Sequence, residues 1–323
     1  MTRNIRITIE YDGSAFRGWQ VQREPAASGK AIGVSAYGES ASSLGAPSEG
    51  MSDGGAPSES VPGGEVPSES VPDESASSIE APVGGIPCTV PAERARTVQG
   101  TLEQALSRVC GEAIRLHGTS RTDAGVHALG QAASFKGGFG IPTDRIPMAV
   151  NHLLEDVRVL TAVDMPERFH ARFDAKGKTY LYRIASASDI FLRNYRYLLN
   201  ESLDECKMEQ AAKHLIGTYD FAAFRTMGGA GKDDTVRTIS NISVAGWDAT
   251  DTKGVPMRET EIRVTGKSFM YNMVRIIAGT LIDVGLGKRT PADMARILAS
   301  KDRVMAGHTA PAAGLYLENV YFE

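Results

Sequence analysis

The chain has 323 residues, 42% of them hydrophobic, and a formal net charge of −4, a length that accommodates two ordinary domains with sizeable cores. Its longest apolar stretch, FMYNMVRIIAGTLIDVGLG, is interrupted by Asn272, Arg275 and Asp283 and falls short of the ~20 apolar residues that a membrane span requires. Cys88, Cys110 and Cys206 are widely separated, with neither metal-pair spacing nor a disulfide framework, and no apolar leader follows the first residues. A reducing cytoplasm is the expected location, with no membrane association.

The first element is a strand. Ile5, Ile7 and Ile9 alternate with Arg6, Thr8 and Glu10, the two-residue period of a half-buried strand. From about residue 24 to 93 the composition changes to Ser, Gly, Pro, Ala and Glu, and the hexapeptide PSESVP occurs at Pro57–Pro62 and again at Pro67–Pro72. Such a segment is too polar and too rich in turn formers to bury a core, so it reads as a disordered acidic insertion. It also holds the acid: 11 Asp and Glu stand there against one Lys, whereas the rest of the chain carries 34 basic and 28 acidic residues. The remainder is therefore mildly basic, which permits a polyanionic partner without requiring one.

Beyond the insertion, Val98, Leu102, Ala105, Leu106, Val109 and Cys110 share one face of a helix. Further helices are signalled by Ser202 with Glu205 three residues on, the pattern of a capping box, and by Thr290 followed by Pro291. KTYLYRI, RTISNISV and TEIRVTG have the β-branched and aromatic content of strands, and the closing run through Leu315, Leu317 and ENVYFE alternates like another. Strands and helices do not alternate strictly, so an α+β fold with a largely antiparallel sheet is expected.

The chemistry-bearing candidates sit in turns and strand ends. There is no GxxxxGK[ST] loop, no GxGxxG after a strand, no HExxH and no glycine-flanked Ser with a nearby His. Neither metal nor nucleotide cofactor is expected, and isolated histidines, His127 included, read as structural. Between Gly118 and Phe135, Arg121 and Asp123 lie in a glycine-flanked turn before a strand. Asp123 there is either a turn former bonding its own backbone or a carboxylate presented by a loop on a rigid scaffold. Tyr180 and Tyr182 share a strand face and are equally good core residues. On a helical wheel Arg275 lies opposite Met273, Ile276, Ile277, Thr280, Leu281 and Val284, where an exposed side chain is the plain expectation.

SRTDAGVHALGQAASF resembles the signature of pseudouridine synthases of the TruA type. YDGSAFRGWQ, TVQGTLEQAL, FHARFDAKGKTYLYRI, YDFAAFR, GKSFMYNMVRIIAGTLIDVG and APAAGLYLENVYF resemble the family's other blocks, in its order. Two features depart from the family: Thr119 and Ser120 stand where small Ala and Gly are common, and the segment from Gln20 to Thr97, expected near the RNA, is much longer than usual.

The resemblance implies the pseudouridine synthase fold, two similar α/β halves around a largely antiparallel sheet with a central cleft. Residues 1–167 would form the half that carries the Asp loop and the insertion, and residues 168–323 the other. It further implies a cofactor-free isomerisation of uridines 38, 39 and 40 in the tRNA anticodon stem-loop, by a homodimer. Asp123 would be the catalytic carboxylate, at C1′ or at a sugar proton, with Tyr180 stacked on uracil and Arg275 paired to the Asp. Arg121 would flank the vacated position of the flipped nucleotide, and Phe269 and Leu315 would wall the pocket. Two other activities are compatible with the same residues, RNA binding without turnover and a glycosidase that releases free base.

Deletion of residues 24–91 is expected to leave the melting temperature unchanged; a large fall in a thermal-denaturation scan would show that the insertion contributes to the core.

Overall fold

The computed structural model describes residues 2–20, 96–138, 140–226 and 234–323; the expected acidic insertion lies outside the described residues. In chain order the elements are β1 (Arg3–Tyr11), α1 (Val98–Cys110), β2 (His117–Gly118), β3 (His127–Gly137), α2 (Ile146–Asn151), β4 (Val157–Met165), α3 (Ala171–Asp174), β5 (Gly177–Ala185) and β6 (Tyr197–Leu198). They continue with α4 (Glu205–Lys213), β7 (Gly217–Asp220), β8 (Val236–Thr250), β9 (Pro256–Gly266), α5 (Met273–Gly285), α6 (Asp293–Ser300) and β10 (Leu315–Tyr321).

Eight strands form one continuous path in the order β4-β1-β3-β10-β5-β9-β8-β7, with β2 added on β3 and β6 on β5. The sheet is mixed but mostly antiparallel, and the fold is α+β. The parallel pairings are β10 with β3 and β6 with β5. The last strand sits in the middle: Leu317 stands opposite Ala128 of β3 on one side and Tyr180 of β5 on the other. The ending ENVYFE is thus largely strand, as its alternation suggested.

The alternating isoleucines of β1 behave as their spacing requires. Ile5, Ile7 and Ile9 are fully buried, and they meet Val98, Leu102 and Leu106 of α1 in one contiguous core. Thr97 caps α1, its hydroxyl accepting from the Gly100 N–H at 3.3 Å, and Gly111 closes the helix in the left-handed region at φ 72°. α5 is buried on nearly every side, as its high apolar content dictates. It falls short of a membrane span, and no helix among the described residues is long and apolar enough to cross one.

Two helix starts differ from their sequence signals. Ser202 and Glu205 do not form a capping box; Asp204 caps α4 instead, its Oδ1 accepting from the Lys207 N–H at 3.0 Å. Glu205 is unavailable because it binds Arg258 of β9 at 2.9 Å, a tertiary ion pair that outcompetes the local cap. At α6 the helix begins two residues after Pro291, and Thr290 is tied by its N–H and hydroxyl to Asp293 Oδ2 at 2.7 and 2.8 Å.

Ile7→Ala should leave a cavity between β1 and α1 and lower unfolding free energy by about 2–5 kcal/mol, read by chemical denaturation. An unchanged midpoint would mean that this face does not carry the core.

Candidate active site

The turn between β2 and β3 is fixed by its backbone before any side chain does chemistry. The Thr119 N–H and hydroxyl both bond the Ala132 carbonyl at 2.9 Å, and Gln131 Nε2 donates to the Ser120 carbonyl at 2.9 Å. The hydroxyls of Tyr11 and Thr122 are 2.8 Å apart in buried surroundings. On the outer side the Trp19 N–H donates to the Thr122 carbonyl at 3.0 Å. That approach needs glycine at position 18: φ is +91°, and a Cβ there would lie 2.7 Å from the Thr122 oxygen. Gly125, at φ 77°, completes the turn. Asp123 is thus a member of a tight turn and also a carboxylate held at a fixed angle.

All six expected site residues line one cleft of about 1670 Å³. Arg275 Nη1 lies 3.6 Å from Asp123 Oδ2, and their side chains are 18% and 30% exposed. Arg275 is itself clamped: Nε donates to the Ala310 carbonyl at 2.7 Å, and Nη1 to Asn272 Oδ1 at 2.9 Å. Asn272 sits immediately before α5 with φ 58°, makes no side-chain cap, and donates through Nδ2 to Thr226 Oγ1 at 3.1 Å. The wheel correctly puts Arg275 off the apolar face of α5, but that side faces the cleft rather than bulk solvent.

Tyr180 is 9% exposed and meets Phe269 edge-on, with ring centroids 5.2 Å apart. Burial, with the Asp123 charge as a smaller contribution, raises its hydroxyl pKa above the ordinary 10.0, so the phenol stays protonated. Tyr182, two residues on, is core: it is fully buried and its hydroxyl donates to the Pro311 carbonyl at 2.8 Å. The ambiguity between the two tyrosines is resolved by which one reaches the cleft. Leu315 is buried at its wall, and Arg121 is exposed at its edge. His127 does not line the cleft. Its Nδ1 accepts from the Gly13 N–H at 3.0 Å, so Nε2 carries the proton donated to the Asn194 carbonyl at 2.8 Å, a satisfied structural imidazole.

The charge around the cleft is one-sided. Arg17, Arg115, Arg121, Arg172, Lys178, Lys267 and Arg275 line it, and Asp123 is the one carboxylate among the described lining residues. Four arginines on or beside the second half of the sheet are neutralised: Arg183 pairs with Glu261, Arg196 with Glu259, Arg258 with Glu205, and Arg263 with Glu318. In the cleft only Arg275 has an acidic partner, and the other six have no ion pair among the described residues. Unpaired cations lining a concave surface are arranged for a polyanion. The sequence signals neither this nor Trp19, Asn272, Lys178, His117, His170 or Phe173; their spacing is irregular, and only the fold gathers them.

No groups of His, Cys, Asp or Glu able to hold a metal ion occur among the described residues. Burial pushes the Asp123 carboxyl above its ordinary 3.8, and Arg275 pulls it back.

A sequence model of the family described as tRNA pseudouridine synthase matches residues 87–174 and 211–323. tRNA pseudouridine synthase A 2 of Clostridium tetani is 36% identical over 325 residues, covering all of both chains. tRNA pseudouridine synthase A of Bacillus subtilis is 44% identical over 233 residues, 71% of this chain and 90% of its own. That of Acetivibrio thermocellus is 42% identical over 71% of this chain and 91% of its own. With its α+β sheet and cationic cleft, the chain is an RNA-modifying isomerase. It belongs to the tRNA pseudouridine synthase family, whose members convert uridine to pseudouridine in tRNA.

Because the folded state binds the Asp123 proton more tightly than the unfolded chain, stability falls as pH rises from 3.8 through the folded value. Asp123→Asn should therefore melt above the wild type at neutral pH, and the difference should vanish below about pH 3.8. A lower melting temperature for the variant at pH 7 would contradict the direction of the shift.

Proposed function

We propose that the protein isomerises uridines 38, 39 and 40 in the anticodon stem-loop of tRNA, with Asp123 as the catalytic carboxylate and without a cofactor. The observation that carries this reading is the Asp123–Arg275 pair at 3.6 Å, in the same cleft as Tyr180 and beside six cations that have no acidic partner among the described residues. A base inside a stem is out of reach of such a cleft, so the nucleotide must leave the stack. Its phosphates then meet the cationic lining, and Arg121, exposed at the edge, flanks the vacated position and pairs with phosphate.

Within the pocket Tyr180 provides a ring for uracil to stack on, its orientation fixed by Phe269, and Leu315 forms an apolar wall. In the reaction the bond from N1 to C1′ breaks, the base rotates, and a new bond joins C5 to C1′. N1 ends protonated, and the proton on C5 leaves to solvent. An ionised Asp123 suits the task in two ways, as nucleophile at C1′ or as base toward a sugar proton. Arg275 favours that ionised form by its charge, against the burial that opposes it. Tyr180 is kept neutral by burial, and the oxygen of its hydroxyl, near C5, can accept the proton that leaves C5 while its own hydrogen passes to solvent.

We infer likewise a homodimer acting in the cytoplasm, and a division of the chain into halves 1–167 and 168–323. The strand order supports the division: β4, β1 and β3 come from the first half, and β5, β9, β8 and β7 from the second, with β10 between them.

Anticodon stem-loop RNA tritiated at uracil C5 should release tritium to water with the wild-type protein. Asp123→Ala should abolish release while still binding the RNA. Normal release by the variant would remove Asp123 from the reaction, binding without release by the wild type would indicate a binder, and free uracil would mark a glycosidase.

A further inference from the structure

One part of the cleft has no role in the reading above. At its rim three rings stand in a row: His117 and His170 have centroids 4.8 Å apart, and His170 and Phe173 4.5 Å. The row is held in place. His170 Nδ1 accepts from the Arg172 N–H at 3.2 Å and its own N–H donates to Asp174 Oδ2 at 2.7 Å, so the central ring is anchored at both ends of its residue. His117 comes from β2 and pairs through its backbone with Ser134 of β3. Phe173, by contrast, is 77% exposed, although it lines the cleft. A phenylalanine left in water beside an ordered ring, on the wall of a cationic cleft, offers a free aromatic face.

Lys178 lines the same cleft, two residues before Tyr180 and on the same face of β5. Its ammonium donates to the Thr119 carbonyl at 3.3 Å and has no carboxylate partner among the described residues. Burial and the nearby Arg172 lower its pKa to about 8, which an arriving anion would reverse. Six other cations line the cleft, but none of them shares its strand face with Tyr180.

Single-stranded nucleic acid is bound by this pairing of ring faces for bases and cations for phosphates. We infer that His170, Phe173 and Lys178 form a subsite for a nucleotide flanking the isomerised uridine, its base stacked on the rings and its phosphate on the Lys178 ammonium. The subsite rests on the proposed RNA substrate and deepens it, giving the cleft a second holding point for a strand from which one base has been withdrawn.

The test uses anticodon stem-loop RNAs with 2-aminopurine placed singly at each loop and stem position around the target uridine, titrated with the full chain. Wild type should quench at one or two adjacent positions, and Phe173→Ala should remove that quench and weaken RNA binding roughly five- to a hundredfold. Phe173→Tyr should retain both. Lys178→Met should lower the slope of log affinity against log salt by about 0.7–0.9, the release expected for one phosphate, and Lys178→Arg should not. Equal quenching by wild type and Phe173→Ala at every position, or the same loss in Phe173→Tyr as in Phe173→Ala, overturns the stacking site. An unchanged salt slope in Lys178→Met removes the lysine from it. Fluorescence and affinity need no turnover, so they judge the subsite independently of tritium release by the wild type, which judges the reaction.

Discussion

The central position of β10 is the constraint on which the rest depends. This strand pairs in parallel with β3 and antiparallel with β5, and its Leu317 stands between Ala128 and Tyr180. The turn that carries Asp123 leads into β3, and Tyr180 lies on β5, so the two reach a common cleft only because a third strand spaces them. Strand spacing in a sheet is set by backbone hydrogen bonds and tolerates little variation. The separation of the carboxylate from the aromatic ring is thereby fixed by main chain, and side chains only refine it. Arg275 enters from α5, outside the sheet, and is brought to Asp123 by the Ala310 carbonyl just ahead of β10. The same segment that joins the strands thus also seats the guanidinium.

Electrostatics divides the molecule into two regimes. Across β5 and β9 the arginines meet buried glutamates, Glu259 and Glu261 among them, and the ionic interactions are satisfied within the protein. In the cleft every cation but Arg275 is without an acidic partner among the described residues, and the lone described carboxylate is raised in pKa by its own burial. Such a site is not optimised for folding. Its charges gain their partners when a polyanion arrives, which makes binding stronger at low salt and the empty cleft costly.

Much of the scaffold was legible because it obeys local rules. The isoleucine alternation of β1, the apolar face of α1 and the β-branched content of β5, β8 and β9 each depend on near neighbours, and each formed where its pattern stood. The failures have a common cause in distant partners. Glu205 left its cap for Arg258, and Arg275, exposed by its place on the helix, was drawn into a cleft that no helical wheel contains. Asp123, Tyr180, Phe269 and Leu315 were identified as site candidates through the resemblance of several motifs; alone, each is an ordinary turn or core residue. The rim of His117, His170 and Phe173 went unread because its rings come from β2 on one side and from α3 and the residue that caps it on the other, more than fifty residues apart in sequence.

Asn272 shows how narrowly such a site can constrain a single position. Its backbone is left-handed at φ 58°, and its amide oxygen receives Arg275 while its amide nitrogen reaches Thr226. Few residue types accept that backbone without strain, chiefly glycine, asparagine and aspartate. Glycine has no side chain to steady the guanidinium, and aspartate would set a rival anion against it and leave the threonine hydroxyl without its amide donor. Of these three only asparagine makes both contacts, so two demands unrelated in origin, a left-handed backbone and a side chain that both accepts and donates, converge on position 272.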